Sequence, residues 1–341
     1  MTRHAEVPRR KATPETDPYE ELGVPVSGGE LTLLRWPAAD PGAPVVFAVH
    51  GITANALSWA RVAHHLAGKA TLIAPDLRGR GGSRSLPGPY GIAAHAADVA
   101  AVPEAFGLQG AVLAGHSMGA FVSAFTGVHH PARFASLVLV DGGLGFPAPT
   151  QLDPDALLDA VIGPAMRRLA MTFPDRQAYR HYWQDHPAFS GAWSPWADAY
   201  IQRDLVGAEP RLRSSCVRDA VRVDGTQVLC DPEVLAAVGR LKLPARLLWA
   251  DRGLMDEPQG LYDEQRLAAA GLDPARLTTH RVADVNHYTV LIGDDGARTV
   301  AGHLLDAAGV SGGTAGTSGR LGRPPAGTGL PREGVVPDAG E

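Results

Sequence analysis

Gly110-Ala111-Val112-Leu113-Ala114-Gly115-His116-Ser117-Met118-Gly119 is the stretch whose reading decides the architecture. Its first half is an apolar run of strand length, and the helical pattern Met118–His129 follows it directly. Between the two lies Gly-x-Ser-x-Gly. A strand that turns sharply into a helix leaves no room for Cβ atoms at Gly115 and Gly119. Ser117 is then held at the tip of the turn with its hydroxyl exposed, and the helix N-terminus behind it favours developing negative charge. The five-residue pattern alone arises by chance in a chain with 40 glycines. The flanking strand and helix are what give it meaning.

Outward from this turn, short apolar runs alternate with longer helical patterns. Strands are predicted over Leu31–Trp36, Val45–Val49, Thr71–Ala74, Ala111–Ala114, Ser136–Val140, Arg246–Trp249 and Leu277–Val282. Helical patterns fall near Ala54–Ala67, Ile92–Phe106, Met118–His129, Gln259–Ala270 and Thr289–Ala308. The runs at Val45, Ala111 and Ser136 are apolar nearly throughout, as in strands buried on both faces. The expected class is α/β, a mostly parallel sheet flanked by helices. Residues 144–240 break the alternation with helical segments rich in aromatics: Phe173, Tyr179, Tyr182, Trp183, Phe189, Trp193, Trp196 and Tyr200. So long an insertion predicts a helical cap over the carboxyl ends of the strands, with most of those aromatics packing its own core. The expected organisation is a disordered tail at 1–18, a core at 19–143 and 241–309, the helical lid at 144–240, and a second disordered tail at 310–341.

A second chemical signal, His50-Gly51-Ile52-Thr53, follows the run Val45–Val49. A strand end there can aim a backbone N–H at a substrate oxygen, and two such donors stabilise the oxyanion of acyl transfer. The N–H groups of Ile52 and Met118 are the expected pair. The His50 side chain is expected to brace the loop.

These features together resemble the α/β-hydrolase superfamily over most of the chain outside the lid and tails. The carrying residues are His50-Gly51, the segment Pro75-Asp76-Leu77-Arg78-Gly79-Arg80-Gly81-Gly82-Ser83, the turn at Ser117, and Asn286-His287-Tyr288. The resemblance implies a nucleophile, acid, histidine order along the chain. It makes Ser117 the nucleophile and His287, after the last strand, the base, and gives Asp76 and Arg78 structural roles. His116, His129 and His130 lie too close to the nucleophile in sequence to serve as base; His181, His186 and His280 fit by order alone. Asp98, within a helical pattern, is expected to be structural.

The acid has two candidates. Most superfamily members place it after the penultimate strand, where this chain has Gly253, with Asp251 too early and Asp256 three residues late. Some haloalkane dehalogenases carry it instead at the end of the strand after the nucleophile helix, with glycine at the usual place. This chain looks similar, with Asp141 ending Val138-Leu139-Val140-Asp141. Asp141 is the favoured reading and Asp256 the other; aspartate is also common in a turn before Gly142-Gly143. Those dehalogenases attack with an aspartate, whereas serine suits an acyl-enzyme route.

The implied activity is cofactor-free cleavage of a small or medium, largely apolar carboxylic ester or lactone. Rivals on the same residues are C–C bond hydrolysis, acyl transfer, and amide or thioester hydrolysis. A non-hydrolytic lyase or a ligand receptor is the rival from outside hydrolysis. The formal charge of −5 points away from nucleic acid. No metal-ligand spacing stands out, and Gly79–Gly82 lacks the Lys-Ser/Thr ending of a phosphate loop. No apolar run is long enough for a membrane span and no secretory signal is visible, so a small-molecule substrate, no membrane partner and a cytoplasmic location are expected. Two cysteines, Cys216 and Cys230, are expected to be reduced.

Overall fold

The computed structural model describes residues 9–11, 16–145 and 153–310. The elements in chain order are β1 (Arg9–Lys11), β2 (Tyr19–Val26), β3 (Gly29–Trp36), β4 (Val45–Val49), α1 (Ala60–Leu66), β5 (Thr71–Pro75), α2 (Ile92–Ala105), β6 (Ala111–His116), α3 (Met118–His129) and β7 (Phe134–Val140). Then come α4 (Pro154–Leu169), α5 (Arg176–Gln184), α6 (Pro195–Arg203), the two-residue strands β8 (Leu205–Val206) and β9 (Arg213–Ser214), α7 (Arg218–Cys230) and α8 (Pro232–Ala236). The chain closes with β10 (Ala245–Arg252), α9 (Glu264–Ala269), β11 (Leu277–Asn286), α10 (Thr289–Ile292) and α11 (Asp294–Ala307).

One sheet runs β1-β2-β3-β5-β4-β6-β7-β10-β11. From β5 to β11 every pairing is parallel, while β1, β2 and β3 add an antiparallel edge. The central strands β6 and β7 are buried almost residue for residue, because helices cover both faces. Two apolar layers result. One packs Trp59, Leu66 and Val300 against one face, and the other packs Ile92, Phe121 and Val122 against the opposite face. Each such side chain contributes about 1.5–3 kcal/mol by leaving water, and together they fix the register of the strand ends.

All seven expected strands are present, most of them longer at one or both ends. The structure corrects the reading elsewhere. Arg9–Lys11, inside the stretch expected to be a disordered tail, pairs antiparallel with Tyr19–Glu21; the rest of residues 1–15 and all of 311–341 lie outside the described residues. β2 escaped the sequence reading because Tyr19, Glu20, Glu21, Gly23 and Pro25 break its apolar pattern. Gly23 has a packing cause: a Cβ there would meet the Glu30 side chain crossing from β3. The helix expected over Gln259–Ala270 shrinks to α9, and that over Thr289–Ala308 divides at Gly293. Both cysteines are unbonded, Cys216 buried and Cys230 exposed.

Between β7 and β10 the chain forms mostly helices, tied to the sheet by buried charges. Arg203 of α6 places Nη2 at 2.5 Å from Asp76 Oδ2 at the end of β5. Asp76 also accepts the N–H groups of Ala56 and Gly82. Asp224 of α7 pairs with Arg80 at 2.6 Å and His95 at 2.9 Å. Arg78 grips Asp98 with two bonds of 2.7 Å, as its expected structural role requires. No described helix is long and apolar enough to cross a membrane.

Candidate active site

β6 delivers Ser117 to the top of the sheet. Its φ of 55° and ψ of −124° lie outside the ordinary regions for a side-chain-bearing residue. The surroundings hold it there. Its N–H donates to Val140 O at 3.0 Å, and backbone packs against it from two sides. A Cβ at Gly115 would fall 2.1 Å from Gly119 O, and one at Gly119 would fall 2.2 Å from Val49 O. Gly142, which the sequence reading treated only as part of a turn, is needed for the same reason: its Cβ would fall 2.3 Å from Ser117 O.

Met118 opens α3, so its amide has no acceptor within the helix, and Ile52 follows the end of β4. Both line a small apolar recess beside Ser117, of about 60 Å³. Arg80 steadies the Ile52 loop by donating from Nε to Ile52 O at 3.0 Å. Arg80 is fully buried; the sequence reading placed it in the glycine-rich segment without giving it a role of its own.

His287 lies just past β11. Its Nδ1 donates to Asp141 Oδ2 at 2.6 Å, which leaves Nε2 as the acceptor. Asp141 is fully buried, with a φ of 45°. Its Oδ1 accepts the Ala250 N–H at 3.1 Å and its own N–H donates to Leu248 O at 2.7 Å, so β10 fixes the carboxylate. Asp256 is engaged differently. Arg252 grips both its oxygens at 2.7 Å, and Asn286 Nδ2 donates to its Oδ1 at 3.0 Å. Asn286 Oδ1 in turn accepts the N–H groups of Tyr288 and Thr289. Asp256 therefore props the loop that carries His287. Asp251 pairs with Arg281.

The other histidines sort by partner. His50 donates from Nδ1 to Gly51 O at 2.7 Å and accepts the Leu77 N–H on Nε2 at 3.0 Å, which braces the loop as expected. Burial lowers its pKa to about 4. His116 donates from Nε2 to His287 O at 2.8 Å, and its ring lies 4.6 Å from that of His287. Burial, with His287 beside it, drives its pKa well down. Although excluded as a base, His116 thus positions His287. His181 bonds Gln177 at the surface and His280 bonds Thr278.

Ser117 and His287 also line a larger cavity of about 540 Å³. Its far wall comes from residues 160–200, notably Ile162, Arg168, Tyr182, Trp183, His186 and Tyr200. Of the eight aromatics singled out, only Tyr182, Trp183 and Tyr200 line it, and Phe173, Tyr179 and Phe189 pack within the insertion. His186, a base candidate by chain order alone, lies on this far wall. Its Nδ1 accepts the Ala188 N–H at 3.2 Å, and burial lowers its pKa, so it presents a neutral ring.

A family model described as the α/β-hydrolase fold matches residues 44–294. The chain is 30% identical over 214 residues to the N-formylmaleamate deformylase of Pseudomonas putida, covering 60% of this chain and 78% of that protein. It is 36% identical over 102 residues to the lipase LipV of Mycobacterium tuberculosis, covering 30% of this chain and 38% of that one. Among solved structures, E-2-(acetamidomethylene)succinate hydrolase superposes with a TM-score of 0.67 at 19% identity, over 84% of this chain and 99% of that one. The named relatives are hydrolases.

Proposed function

The chain belongs to the α/β-hydrolase fold family, and on that premise we propose that it is a serine hydrolase cleaving a small or medium, largely apolar carboxylic ester or lactone through an acyl-enzyme. One observation carries the reading: the 2.6 Å bond between His287 Nδ1 and Asp141, with His287 and Ser117 lining one cavity. A histidine whose Nδ1 proton is bound to a carboxylate offers Nε2 as a base.

In this mechanism Ser117 Oγ attacks the substrate carbonyl while its proton passes to His287 Nε2. Asp141 holds the ring's tautomer and stabilises the imidazolium that forms. The carbonyl oxygen becomes an oxyanion facing the N–H groups of Ile52 and Met118. His287 then gives its proton to the leaving alkoxide, and water attacks the acyl-serine by the same path in reverse. The helical insertion acts as a lid over this chemistry. It excludes water from the reacting atoms and supplies the apolar wall that suits an apolar substrate. The substrate is a small molecule of the cytoplasm.

Cleavage of an N-acyl amide by the same residues is the second reading, favoured by the similarity to a deformylase. Both readings are tested by incubating the purified protein with a fluorophosphonate and with a panel of para-nitrophenyl esters, lactones and N-acyl amides. Covalent labelling at Ser117 with ester turnover supports the first. Labelling with amide turnover alone moves the assignment to the second, and absence of labelling overturns both.

A further inference from the structure

The charged groups around the main cavity do not balance. Arg168 brings a positive charge, but the protein consumes it. Its Nη1 bonds Asp204 Oδ2 at 2.5 Å and the Tyr179 hydroxyl at 2.7 Å, and its Nη2 reaches Thr53 O at 3.3 Å. Its guanidinium carbon lies 4.9 Å from the centre of the Trp183 ring. His116 and His186 line the cavity as neutral rings.

Glu257 lines the same cavity and is held in another way. Its Oε2 accepts the Met255 N–H at 2.8 Å, and among the described residues no arginine or lysine pairs with it; His186 feels its charge, but burial outweighs that and keeps the ring neutral. The turn is closed by the Gly253 N–H donating to Glu257 O at 3.0 Å. A Cβ at Gly253 would stand 2.3 Å from Glu257 Oε2, so the carboxylate occupies the space a side chain at 253 would fill. Gly253 is itself part of the cavity lining, and its carbonyl faces the His287 N–H at 3.5 Å. A carboxylate without a counter-cation is thus fixed close to the loop that carries His287.

We infer that Glu257 makes this site select esters bearing a cationic group and disfavour those bearing a carboxylate. The inference rests on the serine-hydrolase reading and narrows its substrate class to an otherwise apolar ester whose single ammonium group lies beside Glu257 in the larger cavity. It also sets this chain apart from proteins named for N-formylmaleamate and for a succinate, which are themselves carboxylates. Among the described residues, no unpaired cation lines this cavity to receive such a group.

The test compares acetate esters of choline, of its uncharged isostere 3,3-dimethylbutanol, and of 3-hydroxypropionate. Relative kcat/KM is expected to fall in that order, by roughly tenfold from end to end, since Glu257 is exposed and partly screened. Glu257→Gln should compress the series to within about threefold, and added salt should do the same to the unaltered protein. The same order is expected, without any turnover, in the protection of Ser117 from a neutral fluorophosphonate by choline, 3,3-dimethylbutanol and 3-hydroxypropionate. A preference for the carboxylate, or an order that survives Glu257→Gln, overturns the inference. If Ser117 takes the label but the series is flat, only this inference falls. If Ser117 takes no label, the hydrolase reading falls with it.

Discussion

The two walls of the cavity are built by different means. On the sheet side, backbone does the positioning: Ser117 N–H on Val140 O, Asp141 N–H on Leu248 O, and Ala250 N–H on the Asp141 carboxylate. On the insertion side, side chains hold one another. Arg168 is bound to Asp204 and Tyr179, and Arg203 to Asp76 and Glu21. A strand register cannot slip without turning every side chain to the other face, so the sheet wall is set by the fold itself. The insertion wall depends on a few buried ion pairs, which are strongly destabilising to break one partner at a time. Chemistry should therefore be most sensitive on one wall, and stability on the other.

The largest effect is expected at Ser117, the proposed nucleophile. Ser117→Ala should eliminate fluorophosphonate labelling and lower kcat by about 10³–10⁶, with little change in unfolding midpoint. Next, Asp141→Asn should lower kcat by about 10³–10⁴, while Asp256→Asn should cost about tenfold or less, since Asp256 acts on His287 only through Asn286. Parallel kinetics on the two variants decide the matter, and the reverse ranking would transfer the acid role to Asp256. On the insertion wall, Asp204→Ala leaves Arg168 buried without its partner, and denaturant unfolding should show a loss of about 3–5 kcal/mol.

The smaller of the two stability effects is a pH dependence within the sheet wall. Burial lowers the His50 pKa from 6.5 to about 4, so the native state refuses a proton that the unfolded chain takes up. The stability this confers is complete above pH 6.5 and is lost as pH falls towards 4, by roughly 3 kcal/mol in all. Urea midpoints measured at pH 7 and pH 4.5 should differ less in His50→Asn than in the unaltered protein. An equal difference would place the acid sensitivity elsewhere, with His116 the next group to test.

The same division explains what could be read in advance. Strand ends leave local signatures: glycines where backbones touch, apolar runs before them, and histidine or aspartate just after. Ser117, Ile52, Met118, Asp141 and His287 all stand in such places, and the structure gathers them at one end of the sheet. The choice between Asp141 and Asp256 stayed open in the sequence because both follow strands. Only the partners of Arg252 and Asn286 show that Asp256 is otherwise engaged. The roles of Arg80, Arg168 and Glu257 were not legible, because they come from partners 11 to 144 positions away, or from the lack of a side chain at Gly253. The short edge strand β1 was hidden by its charge, and β2 by Gly23 and Pro25, which lie beyond the Tyr19–Glu21 stretch that pairs with β1 and so have one open side.

Arg80 has a consequence for how this molecule can be taken apart. One guanidinium reaches Ile52 O in the core and Asp224 in the insertion at the same time. Excising residues 144–240 would not uncover a simpler working catalyst. It would strand a buried cation and free the loop that carries Ile52. The insertion is therefore not a detachable module, and grafting in a replacement would have to bring its own anion to the same spot.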